Sequence, residues 1–596
     1  MRLSWKRVLF VSLLFAAFLQ VAKAQQSPVE KSYKDCESYR YPILQAPSLR
    51  RNAFLINVSK QAELKDLNSN IRNAIRKGEK NIVVRFASGV FYYDKLSVYL
   101  CNIDAPDVSI TIQGNNTIMV AGGKDYPKGE AVSSPNSDCI YLDSDLDLID
   151  LNGEVFQAGS KVEVLDTIMK TCRIAVRTPF HYCQGMKIQI SEWFHSPVYE
   201  ATAYKDGFLY FIASDLKYDE AKKCFNVHYD NKIGNLNPRI RIVDPKRVTL
   251  CQKAIHECEV SQFLTLYNMK LKSFSITDIS FNGCAKGEKA LCYFRNVDAE
   301  RIGISNCKFE HLNYRIVALK NTGNFVFDHN DVANCYYGAV LSDIDCPQTI
   351  ITNNTFYRAE KSWTNVSCVA CYGEDFLISN NQFEDIGYAS VSSGYHYKKG
   401  DRMLSRGVIE YNEFSFGDEY YSNPEKYTLM DGGAIYIGTL SRKVIVRYNY
   451  IHHYRGVRSN RAIYCDDGAM NVKIYGNVIS GVTNAHSVFS WRAKNLNKKF
   501  SQSNDGIDMF YNVIWGNYKM DERPNSTCVH GKNLILYGFD EQKPVNELIN
   551  FGYQEDDVYS LGAVMVNDKI KLSPEGLSKL KTLPTYPNIK QWFWGE

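Results

Sequence analysis

An all-β fold, a right-handed parallel β-helix with an N-terminal cap and an inserted β domain, is predicted by three features of this sequence. These are a recurring short segment, its steady spacing, and the apolar residues that flank it. The segment appears as Ser280-Phe281-Asn282-Gly283, Ser305-Asn306-Cys307-Lys308-Phe309, Asp328-His329-Asn330-Asp331-Val332, Thr352-Asn353-Asn354-Thr355-Phe356 and Ser379-Asn380-Asn381-Gln382-Phe383. It continues as Tyr411-Asn412-Glu413-Phe414, Tyr448-Asn449-Tyr450-Ile451, Gly476-Asn477-Val478-Ile479 and Tyr511-Asn512-Val513-Ile514. Anchored on Asn282, Asn306, Asn330 and Asn354, the spacing is 24 residues three times running, then 27, 31, 37, 28 and 35. A constant period with later expansions describes stacked coils whose loops are inserted on one side. A coil of a few short strands cannot bury its apolar face alone, so the coils must stack. Asn suits the anchor because it tolerates the left-handed conformation and can hydrogen-bond along the stack. The L-x-x-L-x-L skeleton of a leucine-rich solenoid is absent.

The other segments fall into order around this repeat. Residues 1–24 read as a cleavable export signal: Lys6 and Arg7 precede an apolar run over 8–18, and Ala22-Lys23-Ala24 offers a cleavage site. No Cys follows it to carry a lipid, and no later run reaches the ~18 apolar residues of a membrane span. The expected product is secreted or periplasmic. Residues 25–135 are expected to hold the cap and first coils, with helical periodicity over 63–77 (Leu64, Leu67, Ile71, Ala74), a strand over 81–86 and a turn at Gly89. Over 136–250 the anchors vanish and alternating strands such as 161–165, 173–177, 186–190 and 207–212 indicate an inserted sandwich- or barrel-like domain. The helix with its groove occupies 251–520, and 521–596 is a C-terminal segment expected to pack along it.

Composition narrows the partners. Of the net charge of +5, four positives (Arg2, Lys6, Arg7, Lys23) lie in the signal, so the remainder is near neutral and holds no nucleic acid by bulk charge. The 40 tyrosines suit half-exposed β surfaces and sugar stacking. The 17 cysteines are odd in number and scattered, and Cys368-Val369-Ala370-Cys371 stands without a second pair. They are expected to be mostly buried small hydrophobes with a few disulfides, leaving no metal site and no cofactor. A monomer is expected.

The candidate site follows from register. Gly433-Ala434-Ile435-Tyr436 and Arg461-Ala462-Ile463-Tyr464 lie 28 residues apart, like Asn449 and Asn477, so Ile435 should lie under Ile463. Extending that register gathers Tyr395 and His396, Gly438 and Thr439, Asp466 and Asp467, and Trp491 and Arg492 into one column. Lower coils carry only Ser342-Asp343 and Ala370-Cys371 there, and the longest insertions fall in the elaborated coils. Asp466 and Asp467 are the foremost catalytic candidates. Asp431 is the partner carboxylate, with Asp401, Asp418 and Glu419 as alternatives. Arg492, Trp491, His396, Tyr395, His453 and Arg461 are the candidate substrate-binding residues. Glycoside hydrolysis needs one protonated and one ionised carboxyl group, and neighbouring acids in a partly dry groove push their pKa values apart. The rival chemistry is β-elimination on a uronic acid. There Asp466 and Asp467 would hold Ca2+, and Arg492, Arg461 or Lys398 would be the base. A third reading is a non-catalytic glycan-binding solenoid.

The stretches 431–438, Val446-Arg447-Tyr448-Asn449-Tyr450-Ile451-His452-His453 and 462–469 resemble the right-handed β-helix proteins related to glycoside hydrolase family 141. The resemblance is good over about 425–515 and looser over the cap and the insertion. It implies activity on plant cell-wall glycans, and Asp466-Asp467-Gly468, Arg492 and Asn495 carry over from its pattern. Gly438-Thr439-Leu440 departs from the Gly-Arg-Asp usual there. Together these readings describe an exported polysaccharide-degrading glycoside hydrolase acting on a branched or acidic glycan.

Overall fold

The computed structural model describes chiefly residues 27–40, 52–93, 98–121, 263–282, 290–310, 315–335, 338–359, 367–394, 405–422, 432–438, 441–454, 461–466, 471–481, 507–515, 529–538 and 557–596. Between 139 and 243, and over 489–491, it describes the backbone of the strands alone.

The chain is all-β and forms a parallel β-helix. Each coil contributes strands to three parallel ladders. The first face includes Val340–Ser342, Val369–Cys371, Ala389–Ser393, Gly433–Ile437 and Arg461–Cys465. A turn leads to the second face, with Thr349–Thr352, Glu374–Ser379, Ser405–Glu410, Ser441–Arg447 and Val472–Tyr475. A tight corner then leads to the third, with Thr355–Tyr357, Gln382–Glu384, Glu413–Ser415, Tyr450–Ile451 and Val478–Ile479. Long insertions fall where the third face returns to the first, as over 416–432, and where the first leads to the second, as over 394–404 and 492–506.

The tight corner explains the repeated Asn. Asn330, Asn354, Asn381, Asn412, Asn449, Asn477, Asn512 and Asn533 are fully buried and form a continuous ladder. In each step the backbone N–H and Nδ2 of one Asn donate to Oδ1 of the next, at 2.8 and 3.1 Å from Asn330 to Asn354 and 3.1 and 2.9 Å from Asn449 to Asn477. A further Nδ2 bond returns to a carbonyl of the preceding coil, such as Ile304 or Ile409. An amide that both donates and accepts is needed for this, since a buried corner offers no water. The ladder ends on Asp557, whose Oδ1 accepts both donors of Asn533.

Two register details differ from the sequence reading. The left-handed residue is the one before the ladder Asn: His329, Asn353, Asn380, Tyr411 and Tyr448 have φ of 53 to 57°. In the lower coil Asn306 takes that strained place (φ 53°), and Cys307 N donates to Asn330 Oδ1 at 3.0 Å. The ladder position is therefore Cys307, not Asn306. Pairing of Ser280 with Lys308 places Ile279 level with it, so the even 24 becomes 28, 23 and 24. Coils also continue past 520, because Leu534–Tyr537 pairs with Val513–Trp515 and Val558–Leu561 pairs with Leu534–Tyr537. Their anchor Lys532-Asn533 lacks the flanking pattern of the others, so the repeat does not mark them in the sequence.

Apolar side chains fill the interior, including a stack Phe281–Phe309 and Phe356–Phe383–Phe414 with ring centroids 4.7 to 5.3 Å apart. The cap forms as a 3-10 turn over Gln61–Asp66 and a helix Leu67–Arg76 that buries Leu67, Ile71 and Ala74. Strand Val98–Ala121 pairs in parallel with Leu264–Asn282, so the segment between them is inserted between adjacent coils. That insertion carries a separate seven-stranded antiparallel sheet, from strand Cys139–Tyr141 to Arg239–Val243. The nine described cysteines are thiols, eight of them buried, and no disulfide joins them. Cys368 and Cys371 both lie in the core, where burial pushes the Cys371 thiol well up.

The second face is sealed from outside. Its outward Val326, Ile350, Leu377, Val408 and Ile445 join one apolar cluster with Val29 and Cys36 of the N-terminal helix Pro28–Glu37. Leu580, Leu583, Ile589 and Phe593 of the C-terminal segment belong to the same cluster. Glu37 Oε1 pins the N-terminal helix by accepting from Arg447 Nη1 at 2.9 Å, Tyr448 OH at 2.9 Å and Tyr475 OH at 2.6 Å. Among the described residues, no helix is long and apolar enough to cross a membrane.

Candidate functional site

The second face is covered, and the candidate residues lie on the first face and its bordering turns. Ile435 pairs with Ile463, Tyr436 with Tyr464 and Ile437 with Cys465, as the 28-residue offset requires. Even-numbered outward positions here are unusually aromatic. Tyr436 lies against Tyr464 edge to face at 5.1 Å and against Tyr388 at 6.2 Å, and these three are buried as a group of their own.

Asp466 caps this group at the end of strand Arg461–Cys465. Its backbone N–H donates to Ile437 O at 2.8 Å, and its own carbonyl accepts from Ala469 N at 2.9 Å, which fixes the turn. The carboxylate is only 4% exposed. Oδ2 accepts from the Tyr436 hydroxyl at 2.8 Å, while Oδ1, also buried, has no hydrogen-bond partner among the described residues. A buried carboxylate oxygen is costly to leave unmet, so it marks a place where a further donor belongs. At the other end of the strand the Arg461 guanidinium lies 4.1 Å from the Tyr464 ring centroid. Arg461, Tyr464, Tyr436 and Asp466 thus form one unbroken line of contacts, in which a cation and an acid are held at the two ends of an aromatic wall.

The column expected from sequence is brought together only in part. Ser393 pairs with Ile437, which puts Gly394, not Tyr395, level with Gly438 and Asp466. Phe489 pairs with Ile463, which puts Trp491 opposite Cys465 instead of Asp466. Both are one-residue slips, and in a strand a slip of one exchanges the two sides. Asp467, Asp431, Arg492, His396 and Tyr395 lie outside the described residues, as does Asp401. His453, a candidate for substrate binding outside that column, follows strand Tyr450–Ile451, and its Nδ1 lies 3.0 Å from His452 Nδ1 and 3.5 Å from Asp568 Oδ1.

A second group of charges, unnoticed in the sequence, surrounds the end of the third face. Arg358 Nε donates to Asp385 Oδ2 at 3.1 Å, and Asp385 Oδ1 accepts from Gly417 N at 2.9 Å. His452 Nε2 lies 2.9 Å from Glu413 Oε1. Desolvation, then the charge of Asp385, holds the Glu384 carboxyl above its ordinary range. The signal available was register: Gln382-Phe383-Glu384 and Glu413-Phe414-Ser415 align without gaps, so their acids fall on neighbouring coils.

Residues 248–401 match the family described as right-handed β-helix region. Among solved structures, the chain is similar to a glycoside hydrolase at 10% identity, over 76% of this chain and 100% of that one, with a TM-score of 0.41. It is similar to XylC, solved in complex with xylose, at 7% identity over 82% and 83% with a TM-score of 0.38. It is similar also to PfbA, a surface adhesin of Streptococcus pneumoniae, at 11% identity over 80% and 83% with a TM-score of 0.32. No curated protein matches the sequence. The three parallel ladders and the family match over 248–401 make the fold of this chain a right-handed parallel β-helix.

Proposed function

We propose that this protein is an exported glycoside hydrolase that cleaves a branched or acidic polysaccharide in a groove over the first face, with Asp466 as one of its two catalytic carboxyl groups. The observation that carries the reading is the buried Asp466 Oδ1, which has no donor among the described residues while Oδ2 is held by Tyr436. A carboxylate locked through one oxygen presents the other in a fixed direction, which acid or base catalysis at a glycosidic oxygen requires. The buried Tyr388, Tyr436 and Tyr464 group backs the Asp466 carboxylate and fixes its direction, and the Arg461 guanidinium on Tyr464 places a cation at the far end of the same strand. The second carboxyl group is assigned to Asp467 or Asp431, with Arg492, Trp491, His396 and Tyr395 as the remaining contacts to substrate. No metal or cofactor enters the reaction, and the chain acts as a monomer.

The test is a panel of neutral and acidic polysaccharides incubated with the purified protein. Release of reducing ends without absorbance near ~235 nm supports hydrolysis. Release accompanied by that absorbance, and abolished by EDTA, would replace it with a Ca2+-dependent lyase. Retention of glycan without any product would leave a binding solenoid.

A further inference from the structure

The cluster around His453 has a use of its own. His452 and His453 close the third-face strand Tyr450–Ile451, and Asp568 occupies the turn of the hairpin Val564–Val566 and Lys569–Lys571. One ring nitrogen of His452, one of His453 and an Asp568 carboxylate oxygen all lie within 4.8 Å of one another. The two Nδ1 atoms are 3.0 Å apart, and His453 Nδ1 is 3.5 Å from Asp568 Oδ1. Ligand atoms at ~2.0–2.2 Å from a tetrahedral ion are ~3.3–3.6 Å from each other, a range that includes the His453–Asp568 separation and lies a few tenths of an ångström above the His452–His453 one.

The surroundings prepare the same chemistry. Glu413 Oε1, 2.9 Å from His452 Nε2, draws the ring proton to that nitrogen and leaves the Nδ1 lone pair directed to the cluster. A carboxylate behind an imidazole is the usual support of a metal-binding His. Tyr450 stacks on His452 at 4.3 Å and on Trp592 at 4.8 Å, and its hydroxyl donates to Asp568 O at 2.6 Å, so the hairpin is already held in place. A simple N–H···N bond between the imidazoles would account for the 3.0 Å contact but gives Asp568 no part in it.

We propose that His452, His453 and Asp568 bind a divalent ion of the Zn2+ class, which staples the C-terminal hairpin to the solenoid. Two imidazoles and one carboxylate match that ion's preference among first-row metals. Strand Arg461–Cys465 separates this place from Asp466, so the proposal stands or falls apart from the hydrolase reading.

The experiment uses the full chain freed of metal with EDTA and dialysed, then titrated with Zn2+ alone by calorimetry and followed by thermal unfolding. The expected result is one equivalent bound with a rise in Tm. Asp568→Asn and His453→Asn keep left-handed turn residues at positions with φ of 60° and 44°, so both variants should fold. Each should bind at least ~10-fold more weakly and lose the Tm rise, and Glu413→Gln should weaken binding by a similar ~10-fold with the ligands intact. Wild type that binds no Zn2+, or binds it no more tightly than Asp568→Asn does, would overturn the proposal.

Discussion

The Tyr436 hydroxyl donates to Asp466 Oδ2 at 2.8 Å, so the acid is held from the coil beneath its own. Parallel stacking makes this possible, since Tyr436 pairs with Tyr464, two residues before Asp466. Tyr436→Phe removes the one bond to a buried carboxylate oxygen and leaves the ring packing intact. The expected loss of stability is ~1–3 kcal/mol, read as a lower urea midpoint at unchanged m-value.

The Asn ladder should respond more sharply than any single surface contact. Asn449 Nδ2 donates to Ile409 O, Arg447 O and Asn477 Oδ1, and its own Oδ1 accepts from Asn412. Asn449→Ala strands several of these groups in a dry corner at once. A loss of ~3 kcal/mol or more is expected by chemical denaturation, against under ~1 kcal/mol for Lys308→Ala on the exposed third face.

Glu384 sets a pH dependence. Its carboxyl is held above the usual range by desolvation and by Asp385. Between its unfolded and folded pKa values the native state binds more protons, so this contribution to stability is present in acid and is lost as the pH rises through the folded value. Glu384→Gln mimics the protonated side chain. It should raise Tm at pH 7 and change it little at pH 4, a comparison that thermal scans at both values settle.

Glu37 accepts from Arg447, Tyr448 and Tyr475 and thereby fastens helix Pro28–Glu37 to the second face. Glu37→Ala leaves those three donors without their shared acceptor. Hydrogen exchange should accelerate over residues 28–37 by ~10-fold or more while the Asn ladder amides stay protected. Equal acceleration in both would mean that the strap is not a separate unit.

How far the sequence reaches depends on what fixes each feature. The coils were legible because a buried corner admits almost nothing but Asn, and stacking repeats that demand with every turn. The pairing of Ile435 with Ile463 was legible because the strands share a pattern without gaps. Trp491 pairs one residue earlier than the register expected, opposite Cys465, since its segment carries no Ala-Ile-Tyr to mark the alignment. Asn306 was read as a ladder member because Asn serves both the left-handed position and the ladder position, which the letter alone cannot distinguish. The His452–His453–Asp568 cluster was out of reach of any repeat argument. It unites a coil with a hairpin beyond the last coil, and only the folded chain brings them together.

The proposed hydrolysis rests on Asp466. The most direct test compares wild type with Asp466→Asn on the polysaccharide from which wild type releases reducing ends, at matched folding by circular dichroism. A fall in kcat of ~100-fold or more with KM little changed is expected, as when an acid or base acting in the transition state is removed. A folded Asp466→Asn protein that turns over at the wild-type rate would contradict that assignment.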